Sequence, residues 1–159
     1  MRKILGTLIV LACLGIISPA LTTAADVNAF VGSWKLNVAK SKYHPGPAPK
    51  SLTRTYAKSA QGLNLTYTGA DAEGNPTNGS HIINLDGKDY PEADAPDYNS
   101  SSAEVIDPSK FVVKQKMNGK IVATLTYVVA ANGKQMTLSK QGVDANGVAF
   151  DIVAVYDRL

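Results

Sequence analysis

Few residues in this chain are able to do chemistry, and their spacing narrows what that chemistry is. There are two histidines, His44 and His81. His44 stands in a proline-rich stretch and His81 in a strand-like run. Neither is part of an H-E-x-x-H, a histidine triad or a cysteine cluster, the arrangements that hold zinc. A shared metal site between them is the sharper reading; an exposed loop histidine and a hydrogen-bonded strand histidine is the plainer one. A nucleophilic serine needs a base and an oriented neighbour. No G-x-S-x-G is present, and Ser33 in Gly32-Ser33-Trp34 lacks the strand–turn–helix setting. Asp86, Asp89, Glu92, Asp94 and Asp97 crowd one region, but without the spacing of a calcium loop; they read as a solvated acidic loop. No glycine-rich phosphate loop occurs. No catalytic residue, metal or cofactor is therefore expected. Asn64, Asn78 and Asn99 open N-glycosylation sequons, which matter only in a eukaryotic secretory pathway.

What remains is the chemistry of binding. In Lys110 to Met117, Phe111, Val113, Gln115 and Met117 share one face. In Ile121 to Val129, Ala123, Leu125 and Tyr127 do so with their neighbours, and Val148, Phe150, Ile152, Ala154 and Tyr156 form the stripe of the last run. This is period two, the signature of strands with one buried face. Taking Trp34 as inward-facing, the same alternation turns Leu36, Leu65, Tyr67, Ile83, Met136 and Leu138 inward. An apolar interior with a few convergent polar groups is the usual small-molecule site. Arg54, Tyr67, His81, Phe111, Gln115 and Tyr127 are the candidate ligand-binding residues. Gln115 stands out because a buried amide needs partners, either a ligand or the wall itself. Side chains also fill small barrels, so a hollow and a filled interior both fit.

The elements that must position these residues are strands. Asn118-Gly119, Asn132-Gly133, Asn146-Gly147 and Asp86-Gly87 are hairpin signals, spaced in the second half as an antiparallel meander requires. Strands are expected near 30–38, 51–59, 62–69, 79–86, 102–107, 110–117, 120–130, 134–141 and 147–157, with a short one around Tyr90. Ser41 to Lys50 holds three prolines and is expected to run extended as polyproline II. Pro91 to Ser102 reads as a polar surface loop. The fold class is all-β: one antiparallel up-and-down β-barrel of about 8–10 strands, over residues 26–159, with a proline-rich loop after the first strand.

The start of the chain reads as a secretory leader. Met1-Arg2-Lys3 is basic, Ile4 to Ile17 is apolar, and small residues follow, with cleavage expected after Ala25 or, second, Ala20. The apolar run is shorter than the ~20 residues of a membrane span, and no other long one follows. Cys13, the single cysteine, lies inside it; large Leu11 argues against a lipobox there. Residues 26–159 then carry no cysteine, which favours a bacterial secreted or periplasmic location over a disulfide-stapled eukaryotic one. Without Arg2 and Lys3 the 16 Lys and Arg become 14 against 13 Asp and Glu, a net charge of +1. No basic run marks a nucleic-acid binder.

Phe30-Val31-Gly32-Ser33-Trp34-Lys35-Leu36 resembles the first-strand Gly-x-Trp signature of the calycins, the superfamily of lipocalins and fatty-acid-binding proteins. Val153 to Arg158, with Tyr156 and Arg158, is similar to the last strand of fatty-acid-binding proteins. The late hairpins look like their closing meander, and the block from Gly32 to Lys50 looks like a group of small secreted bacterial proteins of unassigned function. The resemblance implies a lipocalin-like barrel with Gly32, Trp34, Tyr156 and Arg158 as its structural signature, and Arg158 stacked on Trp34. It implies a small hydrophobic or amphipathic ligand. The chain departs from the pattern where prolines replace the helix pair after the first strand, where no secure match to the carboxylate-holding residues appears, and in lacking lipocalin disulfides. An interaction or inhibitor module acting through the loops at 41–50 and 90–102 is the alternative, its protein partner unspecified. An enzyme is the third reading.

Overall fold

A computed structural model describes residues 26–93 and 95–159. The expected leader, its cleavage sites and Cys13 lie outside these residues, as does Asp94 of the acidic cluster. Among the described residues eleven strands form: β1 Gly32–Leu36, β2 Lys42–His44, β3 Ser51–Lys58, β4 Gly62–Ala70, β5 Pro76–Asn84, β6 Tyr90–Pro91, β7 Ser100–Asp107, β8 Lys110–Met117, β9 Lys120–Val129, β10 Gln135–Val143 and β11 Ala149–Arg158. Short 3-10 turns cover Asn28–Phe30 and Val38–Lys40. None of the described helices is long and apolar enough to cross a membrane.

The strands are arranged side by side in the order β5-β4-β3-β1-β11-β10-β9-β8-β7-β6. Each hairpin pairs antiparallel with its neighbour, and the first strand pairs with the last, Trp34 opposite Arg158 and Leu36 opposite Tyr156. This joins both ends of the barrel domain into one wall. The result is the expected all-β barrel.

Three local expectations change. Lys42–His44, within the stretch expected to be polyproline II, forms β2 and pairs with Lys42 opposite Val153 on β11. β1 and β2 thus lie in line along the same edge of β11. The turn at Val38–Lys40 takes up the slack between them, so the register on β11 moves on by three residues. The influence of the prolines begins only at Pro45, after β2 has ended. β5 begins at Pro76 rather than near 79, which a proline permits at the first residue of an edge strand. Closure is also incomplete. The chain leaves β5 at Asn84, turns where Asp86 bridges Glu104, and returns beside β7 as β6. No ladder joins β5 to β6.

The core fills one end of the barrel. Trp34, Phe30, Phe111, Tyr56, Tyr156, Leu63 and Met136 are fully buried. Phe111 stacks on Tyr127 at 4.3 Å and meets Phe30 edge-on at 4.7 Å; offset and edge contacts are the favoured aromatic geometries. The Trp34 indole Nε1 donates to the Phe30 carbonyl at 2.8 Å. The Arg158 guanidinium lies 4.0 Å from the Trp34 ring. Its Nε donates to the Gly133 carbonyl at 2.6 Å and its Nη1 to the Val31 carbonyl at 2.8 Å. Gly32 makes this approach possible: its φ is +122°, and a Cβ there would sit 3.0 Å from Arg158 Nη1.

Candidate ligand-binding cavity

Above the aromatic plug the barrel is hollow. A cavity of about 520 Å³ opens between the walls, within the range of small-molecule sites. Leu65, Ile83, Val113, Leu125 and Leu138 give its apolar surface. They lie on inward stripes, where period-two alternation puts them.

Arg54 is the central polar group. Its position comes from the alternation of β3, where Leu52, Arg54 and Tyr56 face inward while Thr53 and Thr55 face out. Pairing sets Arg54 between Trp34 on β1 and Tyr67 on β4. Its Nη1 donates to the Tyr56 hydroxyl at 3.4 Å, and its guanidinium carbon stands 5.5 Å from the Tyr156 ring centre. Its Nε is buried without a hydrogen-bond partner, and no described carboxylate pairs with it. Burial by itself works against its charge. The phenols of Tyr56, Tyr156 and Tyr127 outweigh that, holding the guanidinium well above its ordinary value. An arginine keeps its proton in a folded protein, so Arg54 is a cation in the barrel interior, and it lines the cavity.

Tyr67 and Tyr127 line the same space. Tyr67 lies across Gly79 of β5, where a Cβ would come 2.5 Å from its hydroxyl. The glycine is the space the phenol occupies. Gln115 is buried on β8 and borders the cavity. Burial pushes the Tyr98 phenol up, helped by Glu92, while a hydrogen bond with Gln115 pulls it the other way. His81 on β5 is in the wall, with Nε2 3.2 Å from Glu92 Oε1. The Ser101 hydroxyl donates to that same oxygen at 2.6 Å.

Of the six candidate residues, the structure brings Arg54, Tyr67, His81, Gln115 and Tyr127 to one cavity. Phe111 is not in its wall: it is sealed between Phe30 and Tyr127. Gly32, Trp34 and Arg158 belong to the plug, and Tyr156 reaches the Arg54 end.

Several wall residues were not singled out from the sequence. Lys140 is one. It continues the stripe Met136, Leu138, Lys140 on β10, so the alternation did carry a signal for it. Burial lowers its pKa, nearby Asp97 opposes that, and Arg54 adds to the lowering; its ammonium lies 4.8 Å from the Phe150 ring centre. Glu92, expected in a solvated acidic loop, is instead mostly buried against His81 and Ser101; it and Tyr98 come from an irregular segment, which has no periodicity to read.

No protein-family model matches the chain, and no curated protein matches it. Solved structures do. A zebrafish ileal bile acid-binding protein complexed with cholic acid is similar at 14% identity, over 82% of this chain and 99% of that one, with a TM-score of 0.49. As-p18, an extracellular fatty acid binding protein, is similar at 13% identity, over 85% of this chain and 99% of that one, with a TM-score of 0.50. The siderocalin Ex-FABP is similar at 13% identity, over 82% and 74%, with a TM-score of 0.38. At such identities a likeness speaks of fold alone. With first strand on last strand, a continuous antiparallel meander and one plugged end, the fold of this chain is that of the calycin barrels.

Proposed function

We propose that the protein is an exported binding protein that holds a small amphipathic molecule in its barrel, with an acidic group of that molecule at Arg54. One observation carries this reading: a charged guanidinium lining the cavity, with no carboxylate partner among the described residues. An unpaired interior charge costs free energy, and an anionic ligand supplies the missing counter-charge. Tyr67 and Tyr127 line the cavity with Arg54, and Lys140 adds a second cation. The apolar stripes receive the rest of the molecule. The fold likeness to a protein named for fatty acid binding agrees with this.

Fluorescence titration with anilinonaphthalene sulfonate, an anionic aromatic probe, tests it. Wild-type protein is expected to bind the probe and release it to palmitate. Arg54→Met is expected to bind both about tenfold more weakly or worse, as loss of a charge-assisted hydrogen bond implies. Equal affinity in the variant would show that Arg54 does not hold the anion.

A further inference from the structure

The cavity wall is incomplete in one place. β5 and β6 are the two ends of the strand order. The segment that links them is stitched to β7, where Asp86 bridges Glu104 and the Gly87 N–H donates to the Ala103 carbonyl at 2.9 Å. Further along, a side-chain contact spans the gap: His81 against Glu92, with Ser101 donating to the same carboxylate oxygen.

Outside this seam lies a groove of about 680 Å³. Ser80, His81, Ile82, Tyr90 and Glu92 border both the groove and the cavity, so only this one layer of residues lies between the two. Ile82 is 59% exposed at this lip, and Pro91 faces the groove from β6. The plugged end is filled by Trp34, Phe30 and Phe111. On the opposite side Pro96 and Tyr98 border the cavity, and Asp97 accepts a hydrogen bond from the Ala145 N–H at 3.2 Å.

Resting on the proposed role of Arg54, the geometry points to a ligand held head-in, its far end leaving sideways through the seam into the outer groove across Ile82. Such a site accepts amphiphiles longer than the cavity. It also accepts apolar chains whose far end is joined to a larger molecule, because the bulk stays outside the barrel. Ile82 and Pro91 give the emerging chain apolar contact. The free edge of β5 presents unpaired backbone N–H and C=O groups beside it, suited to an amide or ester linkage at that point.

The test uses three acids in competition with anilinonaphthalene sulfonate on the full chain: octanoate, palmitate, and palmitate bearing a fluorescein amide at its methyl end. The conjugate is expected to bind within about threefold of palmitate. Ile82→Lys is expected to weaken palmitate and the conjugate several-fold more than octanoate. Ile82→Thr, which keeps a β-branched residue on an exposed strand, is expected to do the same to a smaller degree, with the melting temperature unchanged. Loss of more than about tenfold for the conjugate while palmitate binds would overturn the inference and leave a wholly enclosed ligand. So would Ile82 variants that shift all three acids alike or none. Failure of the probe and all three acids to bind wild type would instead remove the proposed role of Arg54, and the inference with it.

Discussion

Arg54 has an interior charge and no acidic neighbour among the described residues to balance it. Two consequences separate a binding role from a structural one. Arg54→Met is expected to weaken anionic probes, yet leave the unliganded melting temperature unchanged or higher, since replacing a poorly paired buried charge by an apolar side chain of similar length is often neutral or stabilising. A large fall in melting temperature would mean that Arg54 holds the wall together instead. Trp34 behaves in the opposite way. It is fully buried, and Trp34→Ala is expected to cost about 3–5 kcal/mol, read from urea unfolding; a midpoint close to wild type would contradict the plug. Gly79→Ala drives a methyl group into the Tyr67 hydroxyl. It is expected to change probe affinity more than stability, since the Tyr67 ring moves within the cavity rather than within the packed core.

At the scale of elements, the join between β2 and β11 carries a pH signature. Tyr43 on β2 faces inward, and burial pushes its phenol up to about 12, with Tyr156 adding and Arg54 opposing. Burial raises Tyr56 as well. In the unfolded chain these phenols ionise near 10. Between that value and the folded one the native state retains protons that the unfolded state has lost. Stability is therefore fully present below about pH 10 and falls as pH rises toward 12. Urea midpoints measured across that interval are expected to drop, and Tyr43→Phe to shallow the drop. A flat profile would place Tyr43 in water. β2 was hidden in the sequence because Tyr43 and His44 precede a run of prolines that reads as extended coil. Backbone pairing with β11 decided otherwise, and that pairing depends on residues over a hundred positions away.

For the whole molecule, the unpaired seam predicts an uneven distribution of stability. Strands paired on both sides open only with much of the barrel, whereas edges exchange through local opening. Amide hydrogen exchange is expected to be slowest along β9, β10 and β11 and fastest along the free side of β5 and in β6. Uniform protection around the barrel would mean that the seam is closed in solution.

How legible each feature was depends on the range of sequence that encodes it. Strand existence, the antiparallel order of the late hairpins and the inward stripes are local: alternation and Asn-Gly turns encode them within a dozen residues. Gln115, Tyr127 and Tyr67 were readable for that reason, and Lys140 was readable by the same rule. Phe111 shared the rule but not the outcome, since alternation says which side a residue faces and not how deep along the barrel it lies. Glu92, Tyr98 and the seam were not readable, because an irregular segment has no period and a missing ladder leaves no local trace. The sequence by itself determined an all-β barrel opening on Gly32-Ser33-Trp34 and an interior that mixes apolar and polar side chains. Only the tertiary structure decided that the interior is hollow, that Arg54 stands there without a carboxylate among the described residues, and that no ladder joins β5 to β6. These depend on strand offsets and distant pairings, which no short window of sequence contains.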